Sequence, residues 1–176
     1  VGELYCAMTY NIGFGAYSDD YSFFMDGGKH SWALSEQAVY DNIAGSINLL
    51  EVFHPDFMLI QELDVDSTRS YHIDQRTLFA KAFPEYDMIF AHNYLNSPFL
   101  MWPLYEPHGT ITAGMGTYAK FPMQDAVRRS LPIMDNFNKY LDLDRCYTRV
   151  AVPVENGTYL CIYNVHLSAY GNDAEL

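Results

Sequence analysis

Two apolar runs of strand length, Leu4–Tyr10 and Phe57–Gln61, flank a stretch with helical periodicity, and this arrangement most constrains the fold. Val39, Ile43, Ile47 and Leu50 recur at the spacing of one helix face, behind Ser35 as N-cap and Glu36 in the first turn. The helix is expected to end near His54, because Pro55 disfavours helical backbone in the residue before it. Strand, helix and strand, with both strands apolar, read as a βαβ unit with parallel strands. The pattern then changes. A second helix is expected over Ile73–Phe83, and strands over Tyr86–Ala91, Met115–Ala119 and Ala126–Leu131. A hairpin closes the series: Cys146–Val154 and Tyr159–Val165 around Asn156-Gly157, a pair suited to the positive φ of a type I′ turn. No repeat, low-complexity tract or linker interrupts the chain, so one α+β domain is expected.

Composition narrows the function classes. The chain is 49% hydrophobic and 16% aromatic, the profile of a globular domain. Its net charge of −12 argues against charge-driven binding to nucleic acid, which needs basic patches on phosphates. It leaves room for a phosphate site built on a bound cation. Cys6, Cys146 and Cys161 fit no zinc spacing, and Cys6 and Cys161 are expected as buried free thiols in strands. No run is long enough for a transmembrane helix, and the start at Val1 reads as trimmed. Asn156-Gly157-Thr158 is formally a glycosylation sequon, explained by the turn. His30, His54, His72, His92 and His108 show no metal-ligand spacing. Residues 13–31 form a long loop rich in glycine and aromatics. Residues 93–109 form an aromatic loop that either packs on the core, the commoner fate, or stays exposed as a contact for lipid or a partner.

Three polar groups stand at strand ends. Glu62 follows the apolar run Phe57–Gln61, at the sheet edge where open α/β folds bind ligands, and carboxylate oxygens suit hard cations. Alone it is more often a solvated acid. Asn11 ends the first strand in Thr9-Tyr10-Asn11; its amide can bond a phosphate oxygen and steady a carboxylate, or simply open a turn. His166, in Asn164-Val165-His166-Leu167, can donate to a phosphate oxygen or protonate a leaving group, although a lone strand-end histidine is more often structural.

In this order, Thr9-Tyr10-Asn11, Gln61-Glu62 and Asn164-Val165-His166-Leu167 resemble the endonuclease/exonuclease/phosphatase superfamily, which includes DNase I-like nucleases, sphingomyelinases and inositol-phosphate phosphatases. Gly114-Met115-Gly116-Thr117-Tyr118-Ala119-Lys120-Phe121-Pro122 is similar to a further family run, with Ala119 in place of the usual serine. Asp64–Tyr71 resembles a loop of one bacterial branch, in which Arg69 either reaches a substrate phosphate or forms a salt bridge.

The resemblance implies a four-layer αββα sandwich of two mixed β-sheets. It implies Glu62 as ligand to Mg²⁺ or Mn²⁺, Asn11 and His166 as catalytic groups, Arg69 and Asn164 as substrate contacts, and Gln61 as support behind Glu62. Asn164 also reads as a group that supports others or caps backbone. The implied activity is metal-dependent hydrolysis of a phosphoester, a lipid or small molecule being favoured over nucleic acid. The resemblance to a bacterial branch implies a bacterial parent and leaves its compartment open, an extracytoplasmic or membrane-anchored protein among the options. The family's Gly-Asp-x-Asn motif and later Asp-His pair do not follow His166, and Asp173 belongs to another pattern. Residues 1–176 are therefore expected to be an incomplete domain, its remainder supplied by the same protein or a partner chain. The alternative is a non-catalytic fragment that binds a partner or metal.

Overall fold

The computed structural model describes residues 2–95, 101–131 and 144–167. Strand β1 (Ala7–Asn11) leads through two short 3-10 turns, Gly13–Gly15 and Phe24–Asp26, into helix α1 (Glu36–Phe53). Ser35 caps α1 by accepting from Ala38 N at 3.0 Å. His54 ends it in the left-handed region, its N–H donating to Leu50 O. Then follow β2 (Phe57–Asp64), a 3-10 turn (Thr68–Ser70), α2 (Gln75–Ala82), β3 (Asp87–Leu95), β4 (Thr112–Ala119), β5 (Gln124–Ser130), β6 (Cys146–Pro153) and β7 (Tyr159–Val165). The first sheet has the order β1-β2-β4-β3, with β1 and β2 parallel and the other pairs antiparallel; the second is the antiparallel β5-β6-β7.

Strand alternation assigns the two faces of the first sheet. Met58 and Ile60 on β2 and Tyr118 on β4 pack with Val39, Ile43 and Leu50 of α1 and Phe79 of α2. The opposite parity, Phe57, Leu59 and Ala119, packs against Val152 of β6 and Ile162 of β7, so the sheets meet face to face. This is the α+β arrangement expected, with two sheets and few helices.

Two β-bulges break the alternation at one level of the sheet. On β2 the register shifts between Ile60, opposite Gly116, and Leu63, opposite Gly114. Glu62 takes φ 59° there, a left-handed conformation that a side chain adopts at a cost. Unbroken parity would send Glu62 into the helix-side core with Met58 and Ile60. The bulge returns Leu63 to that core instead. On β3 the shift lies between His92 and Tyr94, so Asn93 is the extra residue. The first bulge faces β4 between Gly114 and Gly116, the second between Ala113 and Gly114, so the two meet at Gly114. A Cβ on Gly114 would stand 2.3 Å from Ala91 O and 2.5 Å from the Phe90 ring, so only glycine lets β3 approach β4 this closely.

Two expectations are corrected. Cys6 and Cys161 are exposed, and only Cys146 is buried. Cys6 precedes β1, and Cys161 falls on the outward parity of β7, whose large side chains Tyr159, Tyr163 and Val165 are also exposed. The aromatic loop does not pack wholly on the core either: Met101, Trp102, Leu104 and Tyr105 face solvent. Its residues 96–100 lie outside the described residues.

Gly114→Ala is expected to destabilise the protein by about 3 kcal/mol, the upper range for overpacking, because the atom it meets is backbone. Val52→Ala on the exposed face of α1 should stay within about 0.5 kcal/mol. Urea unfolding of both variants checks this, and an unchanged midpoint for Gly114→Ala would contradict the close approach.

Candidate active site

Each bulge delivers one polar side chain to the same place. Glu62 Oε1 accepts from Asn11 Nδ2 at 2.9 Å, and His166 Nε2 lies 3.4 Å from the same oxygen. Asn11 is fixed at its other end, where Oδ1 accepts from Gly13 N at 3.0 Å, an Asx turn that holds the amide across the end of β1. Three residues far apart in sequence thus meet at one sheet edge. The Glu62 and His166 side chains are 26% and 14% exposed, so the carboxylate opens to solvent on one side.

Burial works to raise the Glu62 pKa. The His166 contact, the Arg69 charge and the Asn11 hydrogen bond together outweigh it, and the carboxyl is held below its ordinary range. Glu62 is therefore an anion at neutral pH.

Sequence reading missed Asn93. Its Nδ2 donates to His166 Nδ1 at 3.2 Å, and the residue is buried. With Nδ1 accepting, the neutral imidazole carries its proton on Nε2, the nitrogen that faces Glu62. No motif marks Asn93; the only signal is a polar residue in an apolar strand beside the glycines of β4.

Gln61 and Asn164 lie directly behind this cluster. Gln61 Nε2 donates to Asn164 Oδ1 at 2.7 Å and to Thr9 Oγ1 at 3.2 Å. Asn164 Nδ2 donates to Gly116 O at 3.0 Å. Asn164 is 1% exposed. Both ends of its amide are used inside the protein, bridging the two sheets. Arg69 is also turned inward. Its Nε and Nη2 donate to Asp64 Oδ2 and Oδ1 at 2.9 and 2.8 Å, and its guanidinium lies 3.9 Å from the Phe14 ring centroid. Of the two readings left open for Arg69, the structure shows an ion pair, buried rather than at the surface. Burial disfavours its charge, but Asp64 and then Glu62 hold the pKa above the ordinary arginine value. Arg69 thus stabilises the Glu62 anion at long range. Gln75 completes the support: its Nε2 donates to Phe14 O at 2.7 Å and its Oε1 accepts from Asp64 N at 3.1 Å, tying the ends of β1 and β2 together.

A hard divalent cation fits Glu62 as a one-carboxylate site. The group is an ionised oxygen donor, partly open to water, and the Asn11 bond fixes its orientation. No group of three or more His, Cys, Asp or Glu that could hold a metal occurs among the described residues, so solvent or substrate oxygens would complete the shell.

Comparison with known proteins places the fold. The model of the Endonuclease/Exonuclease/phosphatase family matches residues 8–175. An endonuclease/exonuclease/phosphatase from Beutenbergia cavernae superposes with a TM-score of 0.66 at 18% identity, over 96% of this chain and 39% of that one. A family protein from Leptotrichia buccalis gives 0.58 at 10% identity, covering 94% and 55%. ANGEL2, a 2',3'-cyclic phosphatase, gives 0.57 at 16% identity, covering 93% and 41%. The chain therefore spans about two fifths to just over half the length of these solved proteins. At such identities the likeness shows the fold. No curated protein matches by sequence.

Two measurements probe the site. A depressed glutamate pKa gives stability that is complete above the unfolded value, about 4.3, and is lost as pH falls through the lower folded value. Glu62→Gln should thus flatten the acid limb of the stability–pH curve below about pH 4.3; an unchanged limb would mean Glu62 is not stabilised as an anion. Asn93→Leu should shift His166 from its Nε2–H tautomer toward a mixture, read from imidazole ¹⁵N shifts, while wild-type shifts in the variant would remove Asn93 from this role.

Proposed function

The chain belongs to the endonuclease/exonuclease/phosphatase family, and from that premise we propose that it carries the phosphate-holding half of a metal-dependent phosphoester hydrolase. The observation that carries the reading is the meeting of Asn11, Glu62 and His166 on one carboxylate oxygen, on a family fold. A Mg²⁺ or Mn²⁺ ion held by Glu62 would neutralise charge developing on the phosphoryl oxygens. The protein's own groups then have distinct work. Glu62 supplies a fixed negative charge at the cation site. Asn11 steadies that carboxylate and presents an amide beside it. His166, with its proton set on Nε2 by Asn93, donates to a phosphate oxygen or to the leaving group.

These 176 residues cover 39–55% of the length of the solved relatives, and we assign the group that activates water to the remainder of that fold. A lipid or small phosphoester is preferred over duplex nucleic acid, on the net charge of −12 and the exposed apolar loop. The ANGEL2 likeness adds 2',3'-cyclic phosphates to the substrates worth assaying.

Hydrolysis of a soluble phosphodiester by the whole reading frame, with Mg²⁺ or Mn²⁺, tests the proposal. Turnover is expected to fall about 10²–10⁴-fold in His166→Ala and at least as far in Glu62→Gln, while residues 1–176 alone should show negligible turnover. Metal-dependent turnover indifferent to Glu62→Gln would remove the proposed centre, and absence of turnover by the whole frame on every phosphoester tried would favour the non-catalytic alternative.

A further inference from the structure

Asn93 and His166 each stand where a strand stops being held by its neighbours. Asn93 is the extra residue of the bulge on β3, an edge strand with β4 as its one ladder partner among the described residues. His166 lies one residue past the end of β7, beyond Tyr147 and Val165, the last pair of the ladder with β6. A bulge interrupts its ladder, and a residue past a strand end has no ladder at all. The side-chain contact between the two is a single hydrogen bond of 3.2 Å, and the imidazole it orients must stay on Glu62.

Two arginines hold the main chain on either side of that pair. Arg128 on β5 donates from Nε to His92 O at 2.8 Å, the carbonyl just before Asn93. The buried Cys146 thiol approaches the same oxygen at 3.8 Å. Arg145, itself buried, donates from Nη1 to the carbonyl of Leu167, the residue just after His166. The two arginines are also tied to each other. Arg128 Nη2 donates to Asp144 O at 3.0 Å, beside Arg145, and Arg128 Nη1 donates to Ser130 Oγ at 2.9 Å. Leu131 N, next to Ser130, donates to Arg145 O at 2.8 Å. A continuous brace thus runs from His92 in the first sheet, through β5 and the approach to β6, to Leu167. The three acceptors of Arg128 are neutral and are reached from three different nitrogens. A planar guanidinium can serve them together; a lysine ammonium, with its donors on one atom, cannot.

We propose that Arg128 and Arg145 are positioning residues of the site. They act through the main chain at His92 and Leu167 to keep Asn93 on His166 Nδ1 and His166 Nε2 on Glu62. This role rests on the phosphoester-hydrolase reading and adds two residues to its machinery. A shift of either carbonyl by about 1 Å would carry the Asn93–His166 contact out of hydrogen-bond range.

Arg128→Lys and Arg145→Lys in the protein of the whole reading frame test it, with the exposed neighbour Arg129→Lys as control. Each keeps its charge and loses the fork. In the first two, the imidazole ¹⁵N shifts of His166 should move from the Nε2–H tautomer toward a mixture. Their kcat on a soluble phosphodiester should fall about 10- to 100-fold, as for a misplaced catalytic group, with KM changed less than about threefold. Arg129→Lys should match wild type. Arg128→Lys added to Asn93→Leu should cost nothing further, because both break one contact. Arg128 is exposed, so its variant should keep the wild-type unfolding midpoint, and it decides the matter if the buried Arg145→Lys fails to fold. Wild-type imidazole shifts in Arg128→Lys, undiminished kcat, or a loss that adds to that of Asn93→Leu would overturn the proposal. Such a result with turnover still dependent on Glu62 defeats the brace alone. Turnover indifferent to Glu62→Gln defeats the reading beneath it, and the imidazole shifts then still decide the brace.

Discussion

The buried hydrogen bond between Gln61 and Asn164 is the constraint on which the site depends. At 2.7 Å it joins the middle of the first sheet to the second, between elements a hundred residues apart. One residue beyond Gln61 is Glu62; two beyond Asn164 is His166. The bond therefore sets where the histidine crosses the carboxylate. Both amides lie in a dry interface, where an unpaired polar group costs about 1–3 kcal/mol. Their mutual satisfaction, extended by Asn164 to Gly116 O and by Gln61 to Thr9, selects one packing of the two sheets over sliding alternatives.

Local strain does the aiming. A regular β2 would bury Glu62 under the helices. The bulge lifts it to the sheet edge, at the expense of a left-handed glutamate. What holds that conformation is visible around it. Leu63 is pulled into the helix-side core, Asp64 is locked by Arg69 and Ser70, and Gln75 clips Asp64 to Phe14. A second bulge raises Asn93 to meet His166 at the same height. Gly114, between the two, admits the close approach of β3 to β4. The charged and polar residues that look dispersable in the sequence are thus one connected support for a single carboxylate.

The large-scale plan was legible because it is carried by periodicity and by turn chemistry. Ser35, Pro55 and the Val39–Leu50 stripe bound α1, and Asn156-Gly157 marks the hairpin, although its turn is not the type I′ expected, since only Gly157 takes a positive φ. The strand-end motifs located Asn11, Glu62 and His166 because each follows an apolar run. The bulges were not legible, since a single extra residue leaves no periodic trace in strands this short. For that reason β2 extends past Gln61 to Asp64, and Asn93 passed as loop. The misreadings of Cys6 and Cys161 share a cause: apolar neighbours signal a strand but not which of its faces is covered. Asn164 and Arg69 each carried two readings, a phosphate contact or else a supporting group and a salt bridge respectively, because their types suit both. Only the tertiary partners, Gln61 and Asp64, show that both are committed inside.

The central claim is that one ionised carboxylate, posed by two bulges and a sheet-bridging amide pair, makes a divalent-cation and phosphate centre. Titration of ¹⁵N-labelled protein with Mn²⁺ addresses it most directly, because paramagnetic broadening maps the ion without requiring turnover. The account predicts broadening centred on Asn11, Glu62, Asn93 and His166 that disappears in Glu62→Gln. Broadening centred elsewhere, or persisting at this cluster in that variant, would contradict it.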